Sequence, residues 1–213
     1  MVAKGWLVSL SIALTVLGKG AQDNQASSCR ISETRMDMVL AVDGSGSVTP
    51  PEFAAARALG QGLAASLELG GERVRLALLQ VGEAPVTELA LGRGTSPQAV
   101  RSALSALRQR MGDTNAGRAL SQLAGGGGWD PGDGQAPAPA RVLLWLTDGY
   151  ASDRLEEASG LLREAGIFTF VVTTGRRVAG LRQVATHPAQ DFLFFTEPEE
   201  IALLAPRICR AIK

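Results

Sequence analysis

MVLAVDGSGS, residues 38–47, is the stretch on which the fold turns. Its first five residues are apolar without alternation, the pattern of a strand buried on both faces, as in a parallel sheet. A Gly/Ser turn follows. Thr49-Pro50-Pro51-Glu52 then has the signature of a helix start, with Thr as N-cap, Pro at the first helical position and Glu in capping-box position. Strand, tight turn and helix together form the opening unit of an α/β sheet.

The same alternation continues outward. The first helix is expected to bury Phe53, Ala56, Leu63 and Leu67, and residues 73–81 form the next strand. The four-residue link Gly82-Glu83-Ala84-Pro85 is too short for a crossover helix, so residues 86–91 should pair antiparallel, as an edge strand. Ser96-Pro97 opens a helix with Val100, Leu104 and Leu107 inward, and residues 114–124 form another with Leu120 and Leu123. Residues 125–140 are a Gly- and Pro-rich loop. Beyond it, 141–147 reads as a strand, 153–165 as a helix stopped by Gly166, and 167–173 as a buried strand. A short helix holds Val178, Leu181 and Val184, and residues 192–195 make the last strand. Thr196-x-x-Glu199 should cap a final helix with the stripe Ile201, Leu204, Ile208 and Ile212, which Pro206 kinks or splits. The sum is one doubly wound α/β domain over residues 36–213.

Composition bounds the function. Of 213 residues, 46% are hydrophobic and 5% aromatic, ordinary for a globular α/β chain. Lys plus Arg equals Asp plus Glu at 21 each, so the electrostatic footprint of a nucleic-acid binder is missing. Residues 1–20 read as a signal peptide. Lys4 supplies the positive start, residues 6–17 the apolar stretch, and Gly18 and Gly20 the small residues of a cleavage site. Twelve residues rise only about 18 Å as a helix, too short to span a bilayer. Residues 21–35 are a polar linker, and no later stretch suits a membrane span, so the expected product is secreted and soluble. Cys29 and Cys209 bracket the domain, which in an oxidising compartment makes them a candidate disulfide; two unrelated thiols are the alternative.

In a doubly wound sheet, sites form beyond the carboxyl ends of the strands. Asp43, Ser45 and Ser47 follow the first strand there, Asp148 follows the strand 141–147, and Thr114 begins a helix that can reach the same edge. Two carboxylates and three hydroxyls are all oxygen donors, which suit a hard cation such as Mg²⁺ better than zinc. Gly44 and Gly46 allow the turn to fold back so that its side chains converge. Asp43 is the most central carboxylate and is expected at a loop edge, so Asp43→Ala should abolish metal binding and leave the fold intact. Two carboxylates at most neutralise a divalent ion, which leaves it able to accept a carboxylate from a partner. Arg176 and Arg177, after the strand 167–173, should emerge on the same edge and can steer an anionic ligand; solvated surface charge is the plainer reading of the pair.

Enzymatic readings fit poorly. A dinucleotide fingerprint would need glycine at Thr49 and would set Asp43 against a pyrophosphate. A serine hydrolase would need a G-x-S-x-G elbow, which is absent, and the one histidine, His187, precedes Pro188 in a loop. The chain reads as a binding module, not an enzyme.

At these residues the sequence resembles the von Willebrand factor type A domain and its metal-ion-dependent adhesion site. The family pattern is Asp-x-Ser-x-Ser, matched by Asp43, Ser45 and Ser47; a Thr in Gly-x-Thr-x-x-Gly, matched by Thr114 in GDTNAG; and an Asp in Thr-Asp-Gly, matched by Asp148 in LTDG. The likeness runs from about residue 37 to 209 and is strongest to extracellular-matrix members, the matrilins, the fibril-associated collagens and WARP, through RMGDTNAG, RVLLWLTDG and VATHPAQDFLFF. It implies a six-stranded, mostly parallel sheet with one antiparallel edge, a bound Mg²⁺ (or Mn²⁺ or Ca²⁺), and a role in adhesion or matrix assembly. The implied partner is a matrix protein or cell-surface receptor presenting an acidic residue; a structural module assembling without metal is the alternative. Cys29 and Cys209 match the disulfide-closed members. Ala116 stands where many members have Thr, and Pro206 interrupts the continuous last helix that integrin-type members slide.

Overall fold

The computed structural model describes residues 35–70, 73–129, 138–175 and 179–212. All eight residues of strand β1 (Met36–Asp43) are buried, as the unbroken apolar run requires. Met36, Met38, Leu40 and Val42 point into one core, Val39 and Ala41 into the other. β1 pairs in parallel with both β2 (Val74–Val81) and β4 (Ala140–Thr147). β3 (Val86–Leu89) runs antiparallel to β2, and β5 (Ile167–Thr173) and β6 (Leu193–Phe195) extend the sheet in parallel beyond β4. The order β3-β2-β1-β4-β5-β6 is the expected six-stranded sheet with one antiparallel strand at its edge.

Helices cover both faces. α1 (Pro50–Ser66), α2 (Pro97–Ala106) and α7 (Ala205–Ile212) contribute to the core containing Met38 and Leu40. α3 (Ala116–Ala124), α4 (Glu156–Glu164) and α5 (Ala179–Val184) cover the core around Trp145. Chain order reverses between β1 and β4, so the crevice of the sheet opens at Asp43 and Thr147. No described helix is long and apolar enough to cross a membrane.

Several boundaries differ from those expected, each for a local reason. α3 begins at Ala116 rather than Thr114, because the backbone of Thr114 is bonded to Ser152 instead of entering the helix. α4 begins at Glu156 rather than Asp153. The Asp153 carboxylate caps α3 instead, accepting from the amides of Gly117 and Arg118 at 2.7 and 2.8 Å. Phe192 ends a one-turn helix, α6 (Ala189–Phe192), with its ring 4.7 Å from that of Phe170, and so does not begin β6. Thr196 does not cap the last helix. A 3-10 segment, Pro198–Leu204, comes first, and α7 starts one residue before Pro206, which is the split that proline foretold. Residues 1–34, holding the expected signal peptide, the linker and Cys29, lie outside the described residues, as do Arg176, Arg177 and Val178.

Candidate metal centre

Asp43 is the last residue of β1 and is 2% exposed. It therefore lies in the interior rather than at a loop edge, because the strand runs one residue further than the apolar pattern shows. Its Oδ1 accepts from the amide of Ser45 at 3.0 Å and its Oδ2 from the hydroxyl of Thr147 at 2.9 Å. Burial pushes the carboxyl up to about 6, and the charge of Asp148 adds to this, against the lowering effect of the bonds from Ser45 and Thr147. Ser45 is fully buried, with its Oγ 3.0 Å from the Oγ of exposed Ser47. Gln80 packs directly behind Gly44, where a Cβ would lie 1.9 Å from its Oε1 and displace its side chain.

The segment before Thr114 is laid against this turn. Met111 donates its amide to the Gly44 carbonyl at 2.8 Å, and Gly46 donates to the Gly112 carbonyl at 2.9 Å. Thr114 is 1% exposed, and its backbone is fixed by Ser152, whose Oγ accepts from the Thr114 amide and whose amide donates to the Thr114 carbonyl. Asp148 is half-buried, and its Oδ1 accepts from the Tyr150 amide at 2.9 Å. Asp43, Thr147 and Asp148 line a small cavity of about 20 Å³ together with Glu52 and Thr174. Gly175 passes directly behind Asp148, so close that a Cβ on it would overlap the Asp148 carbonyl oxygen. Thus Thr174 and Gly175 lie at the edge of the site.

The chemistry of this donor set fits a hard cation. Among the described residues, no Lys or Arg pairs with Asp43 or Asp148. A buried carboxylate beside a second carboxylate, with hydroxyls in place of positive side chains, is a costly arrangement that a bound cation would relieve. Nor do the described residues group three or more His, Cys, Asp or Glu side chains, so a cation here would depend on hydroxyls and water for its remaining contacts.

The family model of the von Willebrand factor type A domain matches residues 37–205. The chain belongs to the von Willebrand factor type A family. Human von Willebrand factor A domain-containing protein 1 is 32% identical over 94% of this chain, and the match takes up 44% of that relative, so the chain spans less than half the length of the relative. The fold of this von Willebrand factor type A domain is shared with proximal thread matrix protein 1 of the mussel byssus, at TM-score 0.74 and 16% identity, over 84% of this chain and 48% of that one. That protein has been solved with its metal-ion-dependent adhesion site occupied by zinc. Manganese-loaded TRAP protein of Plasmodium vivax aligns at TM-score 0.63 and 20% identity, covering 82% of this chain and 74% of that one.

Within this type A domain, three contributors escaped the sequence reading: Thr147, Gln80 and Ser152. Each acts through bonds to residues 28 or more positions away, as with Thr147 to Asp43 and Gln80 to Arg108 and Arg110. Thr147 alone carried a signal, its place directly before Asp148 in LTDG.

Proposed function

We propose that this domain is an adhesive module of the extracellular matrix that holds one divalent cation, Mg²⁺ foremost and otherwise Mn²⁺ or Ca²⁺, at Asp43, Ser45, Ser47, Thr114 and Asp148. The observation carrying this reading is the Asp43 carboxylate, 2% exposed, oriented by two hydrogen bonds and matched by no positive side chain among the described residues. A cation bound there supplies an electrophilic position for a carboxylate of a matrix protein or cell-surface receptor. Asp43 and Thr147 set the inner side of the site, Ser45 and Ser47 its turn, and Thr114 and Asp148 its flanks. Support comes from folds of the same kind solved with zinc and with manganese, one of them a thread matrix protein. The hydroxyl that Thr147 turns to Asp43 also accepts from the Gly149 amide and so reads as a structural tie, and the module is proposed to bind rather than catalyse.

Calorimetric titration with Mg²⁺ tests the site. Wild-type protein should bind one ion and Asp43→Ala none; equal binding by both would end the assignment. A pull-down from matrix extract with Mg²⁺, repeated with chelator, separates metal-dependent adhesion from metal-independent assembly. Arg176 and Arg177 are proposed to receive the partner's flanking charge, since Thr174 and Gly175 lead into them from beside Asp148. Replacing both with Ala should slow association at low salt without changing metal affinity. An unchanged rate would remove them from the docking face.

A further inference from the structure

Met111 combines two features that the fold does not need. Among the described residues it is the non-glycine residue with a positive φ, at +64°, and its side chain is 54% exposed. A left-handed backbone at a bulky residue is unfavourable and persists only where the surroundings over-determine it. Here they do. Buried Gln80 accepts from the Arg110 amide at 2.8 Å and donates to the Arg108 carbonyl at 2.9 Å. Gln109 donates to the carbonyls of both Ser45 and Val48 at 2.8 Å. With the Met111–Gly44 and Gly46–Gly112 backbone bonds, these contacts hold the loop rigidly against the site turn. The result is an apolar side chain turned outward on a fixed stalk, contributing nothing to either core.

Tyr150 is a second exposed large side chain near the site. It is 44% exposed, and its amide donates to Asp148 Oδ1, so its backbone is positioned by a site carboxylate. Met111 lies toward the end of β2, its carbonyl oxygen 3.7 Å from where a Cβ of Gly82 would sit, whereas Tyr150 follows β4. Since β1 lies between β2 and β4, the two exposed residues stand on either side of the carboxyl end of β1, Met111 bonded through its amide to Gly44 and Tyr150 through its amide to Asp148.

We infer that Met111 and Tyr150 are the apolar walls of the docking face, and that the partner is a peptide segment whose acidic residue is flanked by a large apolar side chain. This rests on the metal-dependent reading above and adds the partner's neighbouring chemistry to it. Continuity with the cation site fixes the acidic residue, and exposed thioether and phenol groups on either side select aliphatic or aromatic neighbours.

A displayed peptide library with one fixed Glu and randomised flanks, selected in Mg²⁺ and in chelator, tests this. Wild-type protein should enrich Leu, Ile, Met or Phe beside the Glu. Met111→Asn retains a residue that accepts the left-handed conformation, and it should lose about tenfold of that apolar enrichment while binding Mg²⁺ normally. Tyr150→Ser should weaken the preference on the other flank. Metal-dependent enrichment of acidic peptides without apolar flanks, or with flanks unchanged in Met111→Asn, would overturn the inference and spare the metal site. No chelator-sensitive enrichment would instead overturn the metal-dependent reading, and this inference with it.

Discussion

The hydroxyl of Thr147 donates to Asp43 Oδ2 at 2.9 Å and accepts from the Gly149 amide at 3.0 Å. One side chain therefore ties the carboxyl ends of β1 and β4 together and fixes the turn that carries Asp148. Thr147→Val keeps the shape and removes both bonds. A hydrogen bond to a charged group contributes about 1.5 kcal/mol or more, so Mg²⁺ affinity should fall about tenfold with little change in fold. Calorimetry giving wild-type affinity for the valine variant would show the hydroxyl to be dispensable.

Burial and the neighbouring Asp148 also set a pH dependence. In the metal-free protein Asp43 titrates near 6, against an ordinary value of 3.8. The folded state thus holds this proton more tightly than the unfolded one. Its contribution to stability is fully present below about 3.8 and is lost as pH rises through about 6. A cation competes for the same oxygens. Mg²⁺ should therefore raise the melting temperature more at pH 7.5 than at pH 5, and binding at pH 5 should release a proton to the buffer. Equal gains in thermal scans at the two pH values would contradict this.

Glu52 behaves in the opposite sense. Partial burial raises its pKa, but bonds from the Thr174 hydroxyl, the Thr49 hydroxyl and the Thr49 amide together outweigh that and lower it below 4.5. The Thr174 bond, at 2.5 Å, joins the start of α1 to the loop after β5. A depressed carboxylate contributes stability above its unfolded pKa, and that contribution is lost as pH falls through the folded value. Glu52→Gln should flatten the acid limb of the stability profile, measured by denaturant titration between pH 3 and 7. A limb of unchanged slope would place the acid sensitivity elsewhere.

The sheet was legible because β1 and β4 carry unbroken apolar runs buried on both faces, β5 is apolar apart from its threonines, and Gly82-Glu83-Ala84-Pro85 left room only for a hairpin. The capping pair Thr49 and Glu52 was legible because both partners sit within one helical turn. What escaped depended on distant partners. Asp153 opens the expected helix 153–165, yet its carboxylate is taken by α3, more than 30 residues earlier. Asp43 looked like a loop residue because aspartate ends an apolar run in the sequence, while the register with Val81 continues the strand through it.

The pairing of Cys29 with Cys209 remains a proposal that a direct measurement decides. Cys209 is 3% exposed on α7, within the core that α7 shares with α1. A bridge closing so long a loop would add up to about 5 kcal/mol on the chain-entropy model. Reduction should lower the denaturant midpoint accordingly, and peptide mapping of secreted protein should recover the two cysteines linked. Two unlinked thiols in that map would refute the pairing.

Asp153 links stability to the site through α3. Its carboxylate accepts from the amides of Gly117 and Arg118, two donors of the first turn that the helix itself cannot satisfy. Gly117 has no room for a side chain, because a Cβ would lie 2.0 Å from the Arg154 carbonyl oxygen, so the segment 153–154 is pressed onto the start of α3. One residue earlier, Ser152 holds the backbone of Thr114. Asp153→Ala should therefore cost about 1 kcal/mol as a lost cap. Ser152→Ala removes just the hydroxyl that accepts from the Thr114 amide and should weaken Mg²⁺ binding more than it weakens the fold. Denaturation and calorimetry on both variants separate the two effects. If Asp153→Ala lowers metal affinity more than Ser152→Ala does, then the cap, and not the bond to Thr114, is what positions that hydroxyl.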